Sequence, residues 1–303
     1  MALQVLSKLQ CFVLLLWMCL ASAEVSIAGS REISKPDCKN HCGNVSIPYP
    51  FGIGAGCFLD EWFEISCEES PTRPEPYRHG FTRPVYMTGL TNYSVSNISI
   101  LDGDMTAEIP IARNCPDMEF DGTSDAFLGK FTFSSTKNRF IGMGCNTWAA
   151  FLGLESQDDN VSGTGCVAVC EREEDDVTDG SCSGVGCCQT SIPDGLQALV
   201  WKVGRIFPKN LSSNYTDYNH NSNSCSYGLL IETSSFQYSS IYLKDFKKVS
   251  APVVKLKRTG LSYACGPNTD CIEPAGNKTR GYRCNCRSGY RGNPYLSTAG
   301  SCE

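Results

Sequence analysis

Between Asn92 and Val203 the apolar positions recur mostly at every second residue. Met105, Ala107, Ile109 and Ile111 are separated by polar residues or proline, and Phe127, Phe131 and Phe133 alternate with Leu128, Thr132 and Ser134. That period belongs to strands with one buried face. Ser134 to Asn138 is a polar, hairpin-like break, after which Phe140 to Trp148 resumes as an apolar run through Cys145. Short strands with frequent turn signals predict a mainly β fold. The N-terminus differs: Lys8 precedes the apolar run Cys11 to Leu20, and Ala21-Ser22-Ala23 offers a small-residue cleavage site before Glu24. Residues 1–23 are therefore expected to be an export signal. A membrane anchor is the alternative, but the run falls short of the roughly 18 apolar residues needed to span a bilayer. Elsewhere glycines, prolines, hydroxyls and charges interrupt every apolar stretch, so a soluble, exported product without a membrane span is expected.

Cysteine usage points to the same compartment. Of 19 cysteines, Cys11 and Cys19 would leave with the signal. The remainder divide into twelve (Cys38, Cys42, Cys57, Cys67, Cys115, Cys145, Cys166, Cys170, Cys182, Cys187, Cys188 and Cys225) and five from Cys265 to Cys302. In an oxidising lumen this density reads as disulfides, each worth roughly 2–5 kcal/mol to a small domain, with the pairing of the twelve left open. Zinc is disfavoured, because the only histidines are His41, His79 and His220 and no pair of Cys-X-X-Cys knuckles occurs. Asn-X-Ser/Thr acceptors at Asn44, Asn92, Asn97, Asn160, Asn210, Asn214 and Asn277 suit a glycosylated exterior.

Charge changes the picture only locally. The net charge is −6, yet residues 24–240 hold 14 Lys/Arg against 28 Asp/Glu, and residues 241–303 hold 11 against 4. The basic excess centres on Lys244, Lys247, Lys248, Lys255, Lys257 and Arg258, which reads either as a polyanion-attracting segment or as a solvated linker. The acidic run Glu171 to Asp176 lacks the spacing of a calcium loop and reads as a solvated loop between staples. No metal, cofactor or nucleic-acid partner is expected.

Between Cys42 and Cys67 the chain reads Cys42-Gly43, Pro48-Tyr49-Pro50-Phe51-Gly52, Gly56-Cys57 and Phe63-Glu64-Ile65-Ser66-Cys67. Two prolines without amide protons predict an extended edge or loop that displays aromatic rings, and Gly52, Gly54 and Gly56 allow a tight return to Cys57. This stretch resembles the start of the galacturonan-binding domain of plant wall-associated receptor kinases. The resemblance continues through Gly144-Cys145-Asn146-Thr147-Trp148-Ala149-Ala150-Phe151-Leu152-Gly153, Cys166, Cys170, Gly186-Cys187-Cys188-Gln189-Thr190-Ser191-Ile192-Pro193 and Cys225-Ser226-Tyr227. Trp148, Cys187 and Cys188 are read as core and staples.

At the C-terminus, Cys265-Gly266-Pro267-Asn268, Cys271, Cys284-Asn285-Cys286, Gly289-Tyr290, Gly292-Asn293-Pro294-Tyr295 and Cys302 resemble an epidermal-growth-factor-like module that lacks its first cysteine. By that resemblance Cys265 pairs with Cys284 and Cys286 with Cys302, leaving Cys271 over. The lead-in is Lys- and Arg-rich, so no calcium site is expected there. The expected organisation is a signal at 1–23, a cysteine-rich galacturonan-binding-like domain at 38–232, a basic linker at 233–262 and a degenerate EGF-like module at 263–303.

No Gly-X-Ser-X-Gly element and no kinase Gly-rich loop, catalytic loop or Asp-Phe-Gly occurs, so an enzyme is not expected. The resemblance implies a secreted, wall-facing protein that binds pectin or oligogalacturonides, membrane-associated only as a fragment of a longer receptor. Arg73, Tyr77, Arg78 and Arg83, with His79, Phe81 and Tyr86, form the one place in the first module where basic and aromatic residues interleave. They are the sugar-contact candidates, against the plainer reading of an ordinary charged loop. Two alternatives are a kinase-less partner or decoy for a full-length receptor and a truncated receptor product.

Overall fold

The computed structural model describes residues 33–67, 85–87, 93–115, 122–155, 161–170, 179–180, 182–206, 225–244, 253–258, 264–272 and 282–303. The first module contributes β1 (His41–Cys42), β2 (Val45–Ser46), β3 (Ile65–Cys67) and β4 (Val85–Met87). The middle supplies β5 (Val95–Ser99), β6 (Asp104–Glu108), β7 (Ala112–Asn114), β8 (Thr123–Phe127), β9 (Phe131–Phe133), β10 (Asn138–Met143), β11 (Thr147–Glu155) and β12 (Val161–Ala168). Then come β13 (Cys187–Ser191), β14 (Leu196–Arg205), β15 (Ser226–Glu232), the single-turn helix α1 (Ile241–Lys244), β16 (Val253–Arg258), β17 (Thr269–Ile272) and β18 (Arg283–Cys286). The fold is mainly β and disulfide-rich, as the alternation and the cysteines predict. Among the described residues no helix is long and apolar enough to cross a membrane. The export signal expected at 1–23 lies outside the described residues.

Two antiparallel four-stranded sheets, ordered β13-β10-β15-β7 and β12-β11-β14-β8, pack on one another. Phe140 meets Phe151 edge to face at 5.1 Å, and the buried Trp201 donates its indole N–H to the Gly228 carbonyl at 3.1 Å. Gly142 permits this approach, because a Cβ there would lie 2.7 Å from the Ala149 Cβ. Adjacent strand residues point to opposite faces, so the vicinal cysteines of β13 serve two layers. Cys188 bonds Cys166 of β12 across the sandwich. Cys187 bonds Cys182 on the outer side, where Ile141, Met143, Leu229, Ile231 and Leu243 form a second core. Cys145–Cys170 closes that side, and Cys115–Cys225 ties the ends of β7 and β15.

Several strand phases differ from the expected ones. The apolar run Phe140 to Trp148 is two strands in different sheets, because Gly144 (φ +136°) and Asn146 (φ +54°) hold left-handed backbone between them. Since β11 turns Thr147, Ala149 and Phe151 inward, Trp148 falls on the outward face and lies half-buried across Gly204 instead of in the core. Trp201 is the core indole. Phe127 is likewise outward and 61% exposed while Leu128 is fully buried, because Ala126 takes the inward position of β8 and the chain then turns.

The third sheet, ordered β5-β6-β16-β9, corrects the expected linker. Within 233–262, Val253–Arg258 forms an interior strand, with Leu256 opposite both Met105 and Phe133 and with Val254 and Leu256 buried. The alternation Val254-Lys255-Leu256-Lys257 is that of a strand whose apolar face is hidden among lysines. Lys255 is engaged from its other face: its ammonium donates to Thr106 Oγ1 at 2.8 Å and lies 3.5 Å from the buried Asp104 carboxylate and 4.0 Å from Glu232. Asn138, fully buried, completes the strand by accepting from the Lys255 amide (2.8 Å) and donating to its carbonyl (2.7 Å).

Lys137 also bonds Asp104, and that hydrogen bond raises the Lys137 ammonium above its ordinary 10.5. A lysine raised on folding stabilises the native state below its unfolded pKa, and the contribution disappears as pH climbs through the folded value. Stability is therefore expected to decline above about pH 10.5. In urea titrations across that range Lys137→Met should show a shallower decline, and parallel curves for the two proteins would refute the assignment.

Candidate functional site

The proline-framed segment does not present its rings to solvent as the sequence suggests. Pro48 and Pro50 are buried, and Phe51 packs against Phe63 (centroids 5.1 Å) and Phe131 (6.3 Å) in the main core. Gly54 (φ +86°) and Gly56 (φ +80°) make the left-handed return to Cys57, which bonds Cys38. Gly52 must be glycine, since a Cβ there would lie 2.2 Å from the Cys57 carbonyl oxygen. The main core covers Phe51, whereas Tyr49 belongs to a seat for C-terminal residues within 264–272 and 282–303. Tyr49 packs with Ile100, Cys284, Tyr295 and Tyr282 in a small cluster of its own. Asn293, fully buried, donates from its side-chain amide to the carbonyls of Ile33 and Tyr49, both at 2.7 Å, and accepts from the Tyr295 amide at 2.9 Å. The Pro-Tyr-Pro and Gly-Asn-Pro-Tyr motifs, over 240 residues apart, are thus two halves of one joint.

In the C-terminal unit Cys265 bonds Cys284 and Cys286 bonds Cys302, while β17 pairs with β18. Cys271, on β17, is exposed with a free thiol.

The sugar-contact candidates Arg73, Tyr77, Arg78 and Arg83, with His79 and Phe81, lie outside the described residues. They fall between β3 and β4, which pair in register Ile65 to Met87, Ser66 to Tyr86 and Cys67 to Val85. Cys67 is bonded to Cys42, so the base of that connection is covalently anchored. Nearby in the chain is a feature that sequence reasoning missed. Trp62, on the 3-10 turn Glu61–Phe63, lies half-buried over Gly129, where a Cβ would be 1.9 Å from the ring. Lys130 stands 6.0 Å from the indole centroid and 3.4 Å from Asp60. No local pattern reveals this pairing, because the cation comes from the β8–β9 turn.

Two shifted groups border the sandwich. Burial pushes the Tyr93 phenol up, partly offset by the hydrogen bond it accepts from the Phe127 amide, and burial alone lowers the Arg205 guanidinium. Asp179 is held below the usual carboxylate range by the Ser240 amide, which fixes the entry to α1. Among the described residues no group of three His, Cys, Asp or Glu is arranged to hold a metal ion. Asn44 and Asn97 are exposed, and the other five glycosylation candidates lie outside the described residues.

Residues 38–108 match the family described as wall-associated receptor kinase galacturonan-binding. Over 281 residues the chain is 32% identical to wall-associated receptor kinase 2 of Arabidopsis thaliana, covering 86% of this chain and 34% of that protein. It is 32% identical over 303 residues to wall-associated receptor kinase 5 of the same plant, covering 94% and 37%. The chain is related to the wall-associated receptor kinases. It spans about a third of the length of these curated relatives. A wall-associated receptor kinase-like protein, number 10, is 24% identical over 98% of the chain, so the likeness reaches well beyond the galacturonan-binding segment. No solved structure matches the chain. The matched segment holds β1 to β6, and β6 finds its neighbour β16 almost 150 residues further on.

Proposed function

We propose that this chain is a secreted, cell-wall-facing protein that binds galacturonan, the uronic-acid backbone of pectin, without acting on it chemically. The match of residues 38–108 to a galacturonan-binding family carries the reading. The physics is compatible with it. Each uronate offers a carboxylate to Arg or Lys and an apolar sugar face to an aromatic ring. Arg73, Tyr77, Arg78 and Arg83 supply both on a connection tied down by Cys42–Cys67, and Trp62 of the matched segment, beside Lys130 of the β8–β9 turn, is a second aromatic and cation pair.

Titration of oligogalacturonides against the purified protein at low and high salt tests the reading. Binding is expected at low salt and should weaken as salt screens the carboxylates. Arg73→Ala and Arg78→Ala should each weaken it about tenfold, the scale of one charge-assisted hydrogen bond. No affinity at low salt would refute the proposal. Unchanged affinity in both variants would remove those two arginines from the site.

A second reading, as an interaction partner of a longer receptor, is favoured by the exposed free thiol of Cys271. Non-reducing electrophoresis of secreted protein decides its covalent form: a mixed or homodimeric disulfide lost in Cys271→Ser supports it, and monomer alone removes it.

A further inference from the structure

Among the described residues the outer face of the sheet β12-β11-β14-β8 is apolar and has no element packed over it, and it lies outside the galacturonan-binding segment. Register places the outward residues in rows. Val161, Leu154, Ala198 and Phe127 form one row, and Gly163, Leu152, Val200 and Asp125 form the next. Leu152 is 62% exposed, and Phe127, Val161 and Val200 are each at least half exposed. Glycines flatten the surface: Leu152 lies over Gly163, where a Cβ would come within 2.6 Å of its Cδ2, and Trp148 lies across Gly204. Isolated exposed apolar residues are ordinary, but a contiguous lattice of them on one sheet is the mark of an interaction surface.

We propose that this face docks a second copy of the same chain, sheet against sheet. Among the described residues the paired outward positions carry two charges, Asp125 and Lys202, both exposed and one residue pair apart on neighbouring strands. A two-fold axis midway between them sets Lys202 of each copy against Asp125 of the other, so the patch is its own electrostatic complement. Four strands about 4.8 Å apart and four rows about 6.8 Å apart give roughly 500 Å² per copy. Two copies then bury about 1,000 Å², close to the minimum for a biological interface, which fits a weak, reversible dimer. Other occupants fit less well. With one charge of each sign the face lacks the cationic excess that an anionic membrane selects, and its two rings, Phe127 and Trp148, stand in different rows and do not form the run on which sugars stack. A dimer would place two galacturonan-binding segments on one particle, and a long polyuronate could engage both.

Sedimentation equilibrium from about 1 to 200 μM, without polysaccharide and in a Cys271→Ser background, tests the proposal apart from the sugar reading. A monomer–dimer equilibrium is expected. Leu152→Lys should weaken it at least thirtyfold and Lys202→Asp about tenfold, while Lys202→Asp combined with Asp125→Lys should restore it. Thermal unfolding controls for the fold, which these outward substitutions should leave within a few degrees. Monomer throughout the range overturns the proposal, as does a dimer insensitive to Leu152→Lys. A dimer seen only after enzymatic removal of N-glycans also overturns it, because sugar attached beside β12 would then be the natural cover of the face.

Discussion

Trp201→Ala is expected to lower the unfolding free energy by about 4–5 kcal/mol, the upper range for deleting a buried aromatic side chain. Two costs combine. The indole fills the interior between β14 and β15, where a Cβ at Gly228 would lie 3.3 Å from its Cδ1, so truncation leaves a cavity that covalently stapled sheets cannot easily close. It also leaves the Gly228 carbonyl without its buried donor. Trp201→Phe separates the two, keeping most of the ring while losing the N–H, and should cost about 1–3 kcal/mol. Guanidinium denaturation followed by far-ultraviolet circular dichroism, with disulfides intact, reads both. Equal losses in the two variants would mean that the hydrogen bond, and not the packing, dominates.

The second large effect is local. Asn293→Ala removes two hydrogen bonds to backbone carbonyls and one from the Tyr295 amide, all at a fully buried side chain. At roughly 1–3 kcal/mol for each buried group left unpaired, about 3–5 kcal/mol of docking is expected to go. The result should be release of residues 264–303 from the Pro-Tyr-Pro seat, with the three large sheets left intact. Hydrogen exchange should rise in β17, β18 and the Tyr49 segment but not in β10 or β14. Asn293→Asp should be no milder, because it sets a carboxylate oxygen against two carbonyls. Unchanged exchange at Tyr49 in both variants would show that the joint is held by the Tyr49, Tyr295 and Cys284 contacts alone.

Much of the architecture was legible in the sequence, and the failures have physical causes. The period-two signal around Met105, Ala107, Phe131 and Phe133 identified strands because their apolar faces really do alternate. Trp148 and Phe127 misled because β11 and β8 carry apolar residues on both faces, so composition could not say which phase faced the core. Val253–Arg258 looks like a linker in sequence because its lysines dominate the charge count, although every second residue is apolar and Lys255 has a buried counter-ion in Asp104. The prolines around Tyr49 do leave the segment without donors, but the missing donors say nothing about what covers the rings. Asn293 supplies its own amide to that segment's carbonyls from the far end of the chain, and the Trp62 and Lys130 pair likewise arises from a separation no local pattern spans.

The interior position of β16 bears on how any shorter fragment behaves. A recombinant piece ending at residue 232 would lack the strand that fills the gap between β6 and β9, and both would meet water with open backbone and a strip of bare Met105, Ala107, Phe131 and Phe133, while one ending at residue 108 would lose β9 as well and leave β6 with an open edge beside Met105 and Ala107. Such a piece is a template for sticking edge to edge, so soluble expression of the galacturonan-binding segment calls for a boundary at or beyond Arg258.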